Sequence, residues 1–82
     1  MTVRLRYHWS GGPWKTREVR KSPTRLDDIP DGVIVTFRSE GGDIKVGIGL
    51  GRERVLTPVV SGQEVDLDVP VGPVAIWFTQ VQ

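Results

Sequence analysis

Five charged side chains at regular spacing are the first candidates for chemistry in this chain. Arg4 and Arg6 near the start, and Glu64, Asp66 and Asp68 near the end, each recur at two-residue intervals. A β-strand points alternate side chains to opposite faces, so each set forms a one-sided charged rail. Behind the basic rail lie Val3, Leu5, Tyr7 and Trp9, and behind the acidic one Val65, Leu67, Val69 and Val71. Carboxylates on one strand face stand about 7 Å apart, near the separation of an inverting glycosidase pair but too wide for adjacent ligands of one calcium ion. Asp27, Asp28 and Asp31 add acids in a loop, yet they lack the regular Asp spacing and distal Glu of an EF-hand. A chain of 82 residues leaves little room for a saccharide cleft. The use expected of the rails is therefore charge meeting charge, within one chain or between copies.

Other chemistry finds less support. Ser10, Ser22, Ser39 and Ser61 are the possible nucleophiles, none in a Gly-x-Ser-x-Gly setting, and His8 is the single histidine. Cysteine is absent, which removes disulfides and thiolate zinc sites. The expectation is a non-enzymatic protein with no cofactor and no metal. Gly47-Ile48-Gly49-Leu50-Gly51 has the glycine content of a phosphate loop, but such a loop joins a strand to a helix N-terminus, whereas these glycines alternate with apolar residues inside a strand pattern. Packing is the expected role, with a large side chain such as Trp77 lying over the bare face at Gly47 and Gly49.

Arg4-Leu5-Arg6-Tyr7-His8-Trp9 interleaves cations and rings as single-stranded nucleic-acid binders do. Strand geometry, however, turns Tyr7 and Trp9 away from Arg4, Arg6 and His8, so nucleic acid is not the expected partner. The stretch Trp9-Ser10-Gly11-Gly12-Pro13-Trp14 puts two indoles beside a turn, where they serve either as a partner hot spot or as plugs at a barrel end. Arg4, Arg6, Trp9, Trp14, Glu64, Asp66, Asp68 and Trp77 are thus the candidate protein-interface residues.

The elements that must position these residues are strands. Period-two patterning over Thr2–Trp9 ends at Ser10-Gly11-Gly12-Pro13, and a more polar strand follows from Trp14 to Arg20. That second strand carries charge on both faces, the mark of a sheet edge. Residues 21–32 break the pattern. Ser22-Pro23 provides a possible N-cap and first helical position, and the run from Asp27 to Gly32 stops anything it starts, so at most one helical turn is predicted near 22–29, with Leu26 and Ile29 plugging the core.

Strands then return over Val33–Arg38, Asp43–Leu50, Arg54–Val60, Glu64–Val71 and Val74–Val81. Pro58 and Pro70 lack ladder donors and place their strands at an edge or an end. The last strand is apolar on both faces, with Val74, Ile76 and Phe78 against Ala75, Trp77 and Val81, so it must be central or covered by a partner. Seven short strands without a longer helix predict a single all-β domain over residues 1–82, an antiparallel β-sandwich or small barrel.

Charge is divided along the chain: residues 1–26 carry a net +6 and residues 27–82 a net −5, giving +1 overall. A total so near zero argues against a general polyanion binder and leaves attraction between segments or copies. A domain this small buries only about 60% of its unfolded surface, so with no cysteine a partner surface is the expected additional support. No apolar run approaches the roughly 20 residues of a membrane helix, and no signal-peptide core follows Met1, so a soluble protein made in the cytoplasm is expected.

In size and Gly/Pro/Val-rich texture the chain resembles accessory proteins of bacteriophage virions. Ser22–Val60, with Pro23-Thr24-Arg25-Leu26-Asp27-Asp28 ahead of two strands around Gly41-Gly42-Asp43, is loosely similar to the opening of small bacterial immunity proteins, over less than half the chain. The function expected is a structural subunit docking into a larger repeating assembly, such as a phage head or tail. The alternative is a small protein-binding module of the immunity or inhibitor type. A homo-oligomer or larger assembly is the expected state.

Overall fold

The computed structural model describes residues 2–50 and 53–81. Gly51 of the glycine run and Arg52 of the turn expected after it lie outside the described residues. Eight strands form two antiparallel sheets with no helix: β1 Val3–Trp9, β2 Lys15–Val19, β3 Thr24–Leu26, β4 Ile34–Glu40, β5 Ile44–Leu50, β6 Glu53–Val59, β7 Glu64–Asp68 and β8 Ala75–Gln80. One sheet runs β2-β1-β4-β7 and the other β3-β8-β5-β6. The two pack face to face as a small β-sandwich, which decides between the two architectures the sequence left open.

The core follows from period-two alternation. Val3, Leu5 and Tyr7 of β1 and Val35 and Phe37 of β4 meet Ile44 and Val46 of β5, Val59 of β6 and Ile76 and Phe78 of β8, all buried. β8 lies between β3 and β5, so its two-faced apolar character reflects a central position. Trp77 stands directly opposite Gly47 on the outer face of that sheet, the arrangement expected from the missing side chains. Pro58 falls on the edge strand β6, and Pro70 follows the end of β7.

Residues 24–26 depart from expectation. In place of a helical turn they form β3, with Thr24 opposite Phe78 and Leu26 opposite Ile76. β8 needs a neighbour for its backbone groups on that side, and tertiary pairing of this kind outweighs the weak local preference of a Ser-Pro start. Leu26 is buried and Ile29 packs against the core, as the sequence implied.

Two turns show why glycine is required. Ser10 and Gly11 both have positive φ (52° and 67°), and Gly12 N–H donates to Trp9 O at 3.0 Å, the pattern that suits the twist of a tight hairpin. Gly41 carries the chain from one sheet to the other at φ 89°, where an added Cβ would come within 2.8 Å of the Thr2 carbonyl oxygen.

Candidate functional site

Both rails lie on the outer face of the β2-β1-β4-β7 sheet, and β4 separates them. Arg4 pairs across the strands with Glu18 and Glu40, and Arg6 with Thr16 and Arg38. On the far side Arg38 stands opposite Glu64, Thr36 opposite Asp66 and Ile34 opposite Asp68. The Arg6 guanidinium reaches Glu40 at 3.3 Å, Arg38 lies 3.9 Å from the same carboxylate, and Thr36 Oγ1 donates to Asp66 at 2.7 Å. The basic and acidic rails therefore share one surface without meeting each other, and β4 supplies the mixed charge between them.

The two indoles at the first hairpin go to opposite faces. Trp9 turns inward and stacks beside Tyr7 with centroids 6.2 Å apart, and Lys15 Nζ sits 4.6 Å above it. Trp14 turns outward over His8, with centroids 4.0 Å apart, and Arg6 lies 5.6 Å from its ring. Trp77 is on the other sheet. The eight sequence candidates thus do not converge: Arg4, Arg6 and Trp14 share one patch, Glu64, Asp66 and Asp68 another, Trp9 packs beside Tyr7, and Trp77 stands half-buried on the other sheet.

A sandwich has two open sides where edge strands of the two sheets adjoin, and here they are built differently. On the β2/β3 side, Asp28 just after β3 crosses to the other sheet. Its carboxylate accepts from Tyr7 Oη at 2.9 and 3.1 Å and from Lys15 Nζ at 3.2 Å, with Arg17 at 4.0 Å. Burial alone would push this carboxyl up, but the Tyr7 and Lys15 hydrogen bonds, a backbone N–H and the Lys15 charge outweigh it, so Asp28 stays below the ordinary aspartate range. Burial first, then the hydrogen bond to Asp28, raises the Tyr7 phenol above its ordinary value, with Arg17 opposing.

The β6/β7 side carries no such clamp among the described residues. Ile48, Val55, Thr57, Leu67, Asp68 and Pro70 line an open groove of about 260 Å³ there. Val55 is 73% exposed at its rim, and Leu56, turned to the other face of β6, is 50% exposed. A second hollow, of about 380 Å³, lies between loop 27–32 and loop 69–74. Its acids are already engaged, Asp27 with Arg25 at 3.0 Å and Asp31 with the Gly72 N–H at 2.8 Å. Among the described residues no group of three or more metal-ligating side chains is gathered.

Sequence reasoning missed both the Asp28 clamp and the groove. Consecutive apolar residues on both faces at Val55-Leu56, in a strand marked as an edge by Pro58, were the available signal for the groove.

Fold and surface together define an antiparallel β-sandwich with one polar-clamped side and one open apolar side. No family model, no curated protein and no solved structure matches this chain. No helix among the described residues is long and apolar enough to cross a membrane.

Proposed function

We propose that this protein is a non-enzymatic structural subunit that docks into a larger assembly through the β6/β7 side of its sandwich. The carrying observation is that open side, where Val55 stands exposed above Ile48, Thr57 and Leu67. Small domains gain disproportionately from covering such surface, because their own core is close to the minimum that holds a fold. The dispersal of the potential catalytic groups agrees with this reading. His8 packs beneath Trp14, and the buried Ser39 hydroxyl donates to the Gly42 carbonyl. The setting suggested by the texture of the sequence is a bacteriophage virion.

Size fractionation of the native source material tests the reading. The chain is expected in a fraction far heavier than its own 9.1 kDa, and Val55→Asp is expected to return it to the monomer position. Recovery of the wild-type chain only as a monomer overturns it.

A further inference from the structure

Resting on that docking reading, we propose that the free edge of β7 accepts an extended segment of another protein in which cationic and apolar side chains alternate. Backbone direction comes first. Val69 N–H donates to Val33 O and Val69 O accepts from Gly32 N–H, both at 2.8 Å, so odd-numbered residues of this strand face β4. Alternation then turns the N–H and C=O groups of Glu64, Asp66 and Asp68 toward the open edge, three donors and three acceptors in a row.

Side chains define the partner. Directly opposite residues of neighbouring strands share a face, so positions opposite Glu64, Asp66 and Asp68 place their side chains beside the acidic rail. Glu64 and Asp68 make no ion pair among the described residues, and Asp66 only accepts from Thr36. Cations complement them. Positions opposite Val65 and Leu67 point inward, over the groove lined by Ile48, Val55, Thr57 and Leu67. Apolar side chains fill it.

The remaining edges are less suited. β6 pairs with β5 through its odd-numbered residues, because the O of Asp43, just before β5, is taken by Val81 N–H and the register then alternates. Pro58 therefore faces the β6 edge and removes a donor there. β3 has only three residues, and on β2 Lys15 and Arg17 are drawn to Asp28. Self-pairing of β7 is disfavoured, since a two-fold antiparallel contact centred on Asp66 sets carboxylate against carboxylate. Within this chain the matching pattern, Arg4-Leu5-Arg6-Tyr7, is already held in the middle of a sheet. The occupant is thus a segment of a different protein.

A blocked heptapeptide Lys-Val-Lys-Val-Lys-Val-Lys is the probe, with Lys-Lys-Lys-Lys-Val-Val-Val as the composition control. The alternating peptide is expected to slow hydrogen exchange at the Glu64, Asp66 and Asp68 amides, to bind saturably below millimolar concentration and to weaken as salt rises. The double substitution Glu64→Lys with Asp68→Lys is expected to weaken it about tenfold, two exposed charge pairs becoming two repulsions. Val55→Asp removes an exposed wall of the groove without entering the core and is expected to weaken it as well. Equal binding of the control peptide, protection at another edge, or no saturable shift overturns the proposal. If the peptide fails while the native chain still fractionates in a heavy assembly, only the cationic-strand partner is lost; if the peptide binds but the native chain is monomeric, only the assembly reading is lost.

Discussion

The β2/β3 and β6/β7 sides solve the same geometric problem with different chemistry. Each must close the gap where edge strands of two sheets adjoin. At β2/β3 one carboxylate, Asp28, gathers a phenol and two cations from the facing sheet. At β6/β7 apolar walls stand apart and Val55 remains in solvent. A sandwich held at one side by directional contacts can leave the other side open and still keep its register, because the buried alternation of β1, β4, β5 and β8 fixes both sheets. The difference marks the β6/β7 side as the surface on which the docking proposal rests.

The strongest way to break this contrast is Asp28→Ala. It strands the Tyr7 hydroxyl and leaves Lys15 and Arg17 as unneutralised neighbours, so a loss of about 2 kcal/mol in unfolding free energy is expected by urea denaturation. A change as small as that of a typical surface substitution would mean that the clamp does not hold the sheets together.

pH tests the same clamp without mutation. The Asp28 pKa is lowered on folding, so its contribution is present above the unfolded value near 3.8 and is lost as pH falls through the folded value. Tyr7 is shifted the other way, so its contribution is present below 10.0 and is lost as pH rises through the raised folded value. Melting temperature should therefore fall at both extremes, and Asp28→Asn should flatten the acid limb. An acid limb identical in wild type and variant would refute the assignment.

Tyr7→Phe keeps the buried ring and deletes only the hydroxyl, with an expected cost of about 1 kcal/mol. Combined with Asp28→Ala it should cost less than the sum of the two, since both remove one contact. Strict additivity in that cycle would separate the two groups energetically. The smallest effect is expected on the open side: Val55→Thr should change stability by less than about 0.5 kcal/mol, because an exposed methyl makes little packing energy. A larger loss, measured by the same denaturation, would show that this side is already closed in solution.

Much of this was legible in particular residues. The alternation around Arg4 and Arg6, and again around Glu64, Asp66 and Asp68, assigned the wet face of β1 and β7 correctly, and Gly47 implied that a large neighbour would cover it. The edge position of β2 followed from charge on both its faces, and the central position of β8 from apolar residues on both. Thr24–Leu26 was not legible as a strand, because three residues carry too little periodicity to outweigh the Ser22-Pro23 signal. Asp28 looked like one loop acid among three; nothing local distinguishes the carboxylate that reaches Tyr7 from its neighbours Asp27 and Asp31.

What the sequence determined by itself is the facing of each strand, since that depends only on backbone geometry repeating every two residues. It also determined the all-β class, through short patterned runs punctuated by Gly and Pro. Only the tertiary structure decided that β4 lies between the two rails, that one side of the sandwich is clamped and that the other is open. Those outcomes depend on which strands become neighbours, a choice made by contacts between residues as far apart as Tyr7 and Asp28 or Phe37 and Val65, and no local period encodes it.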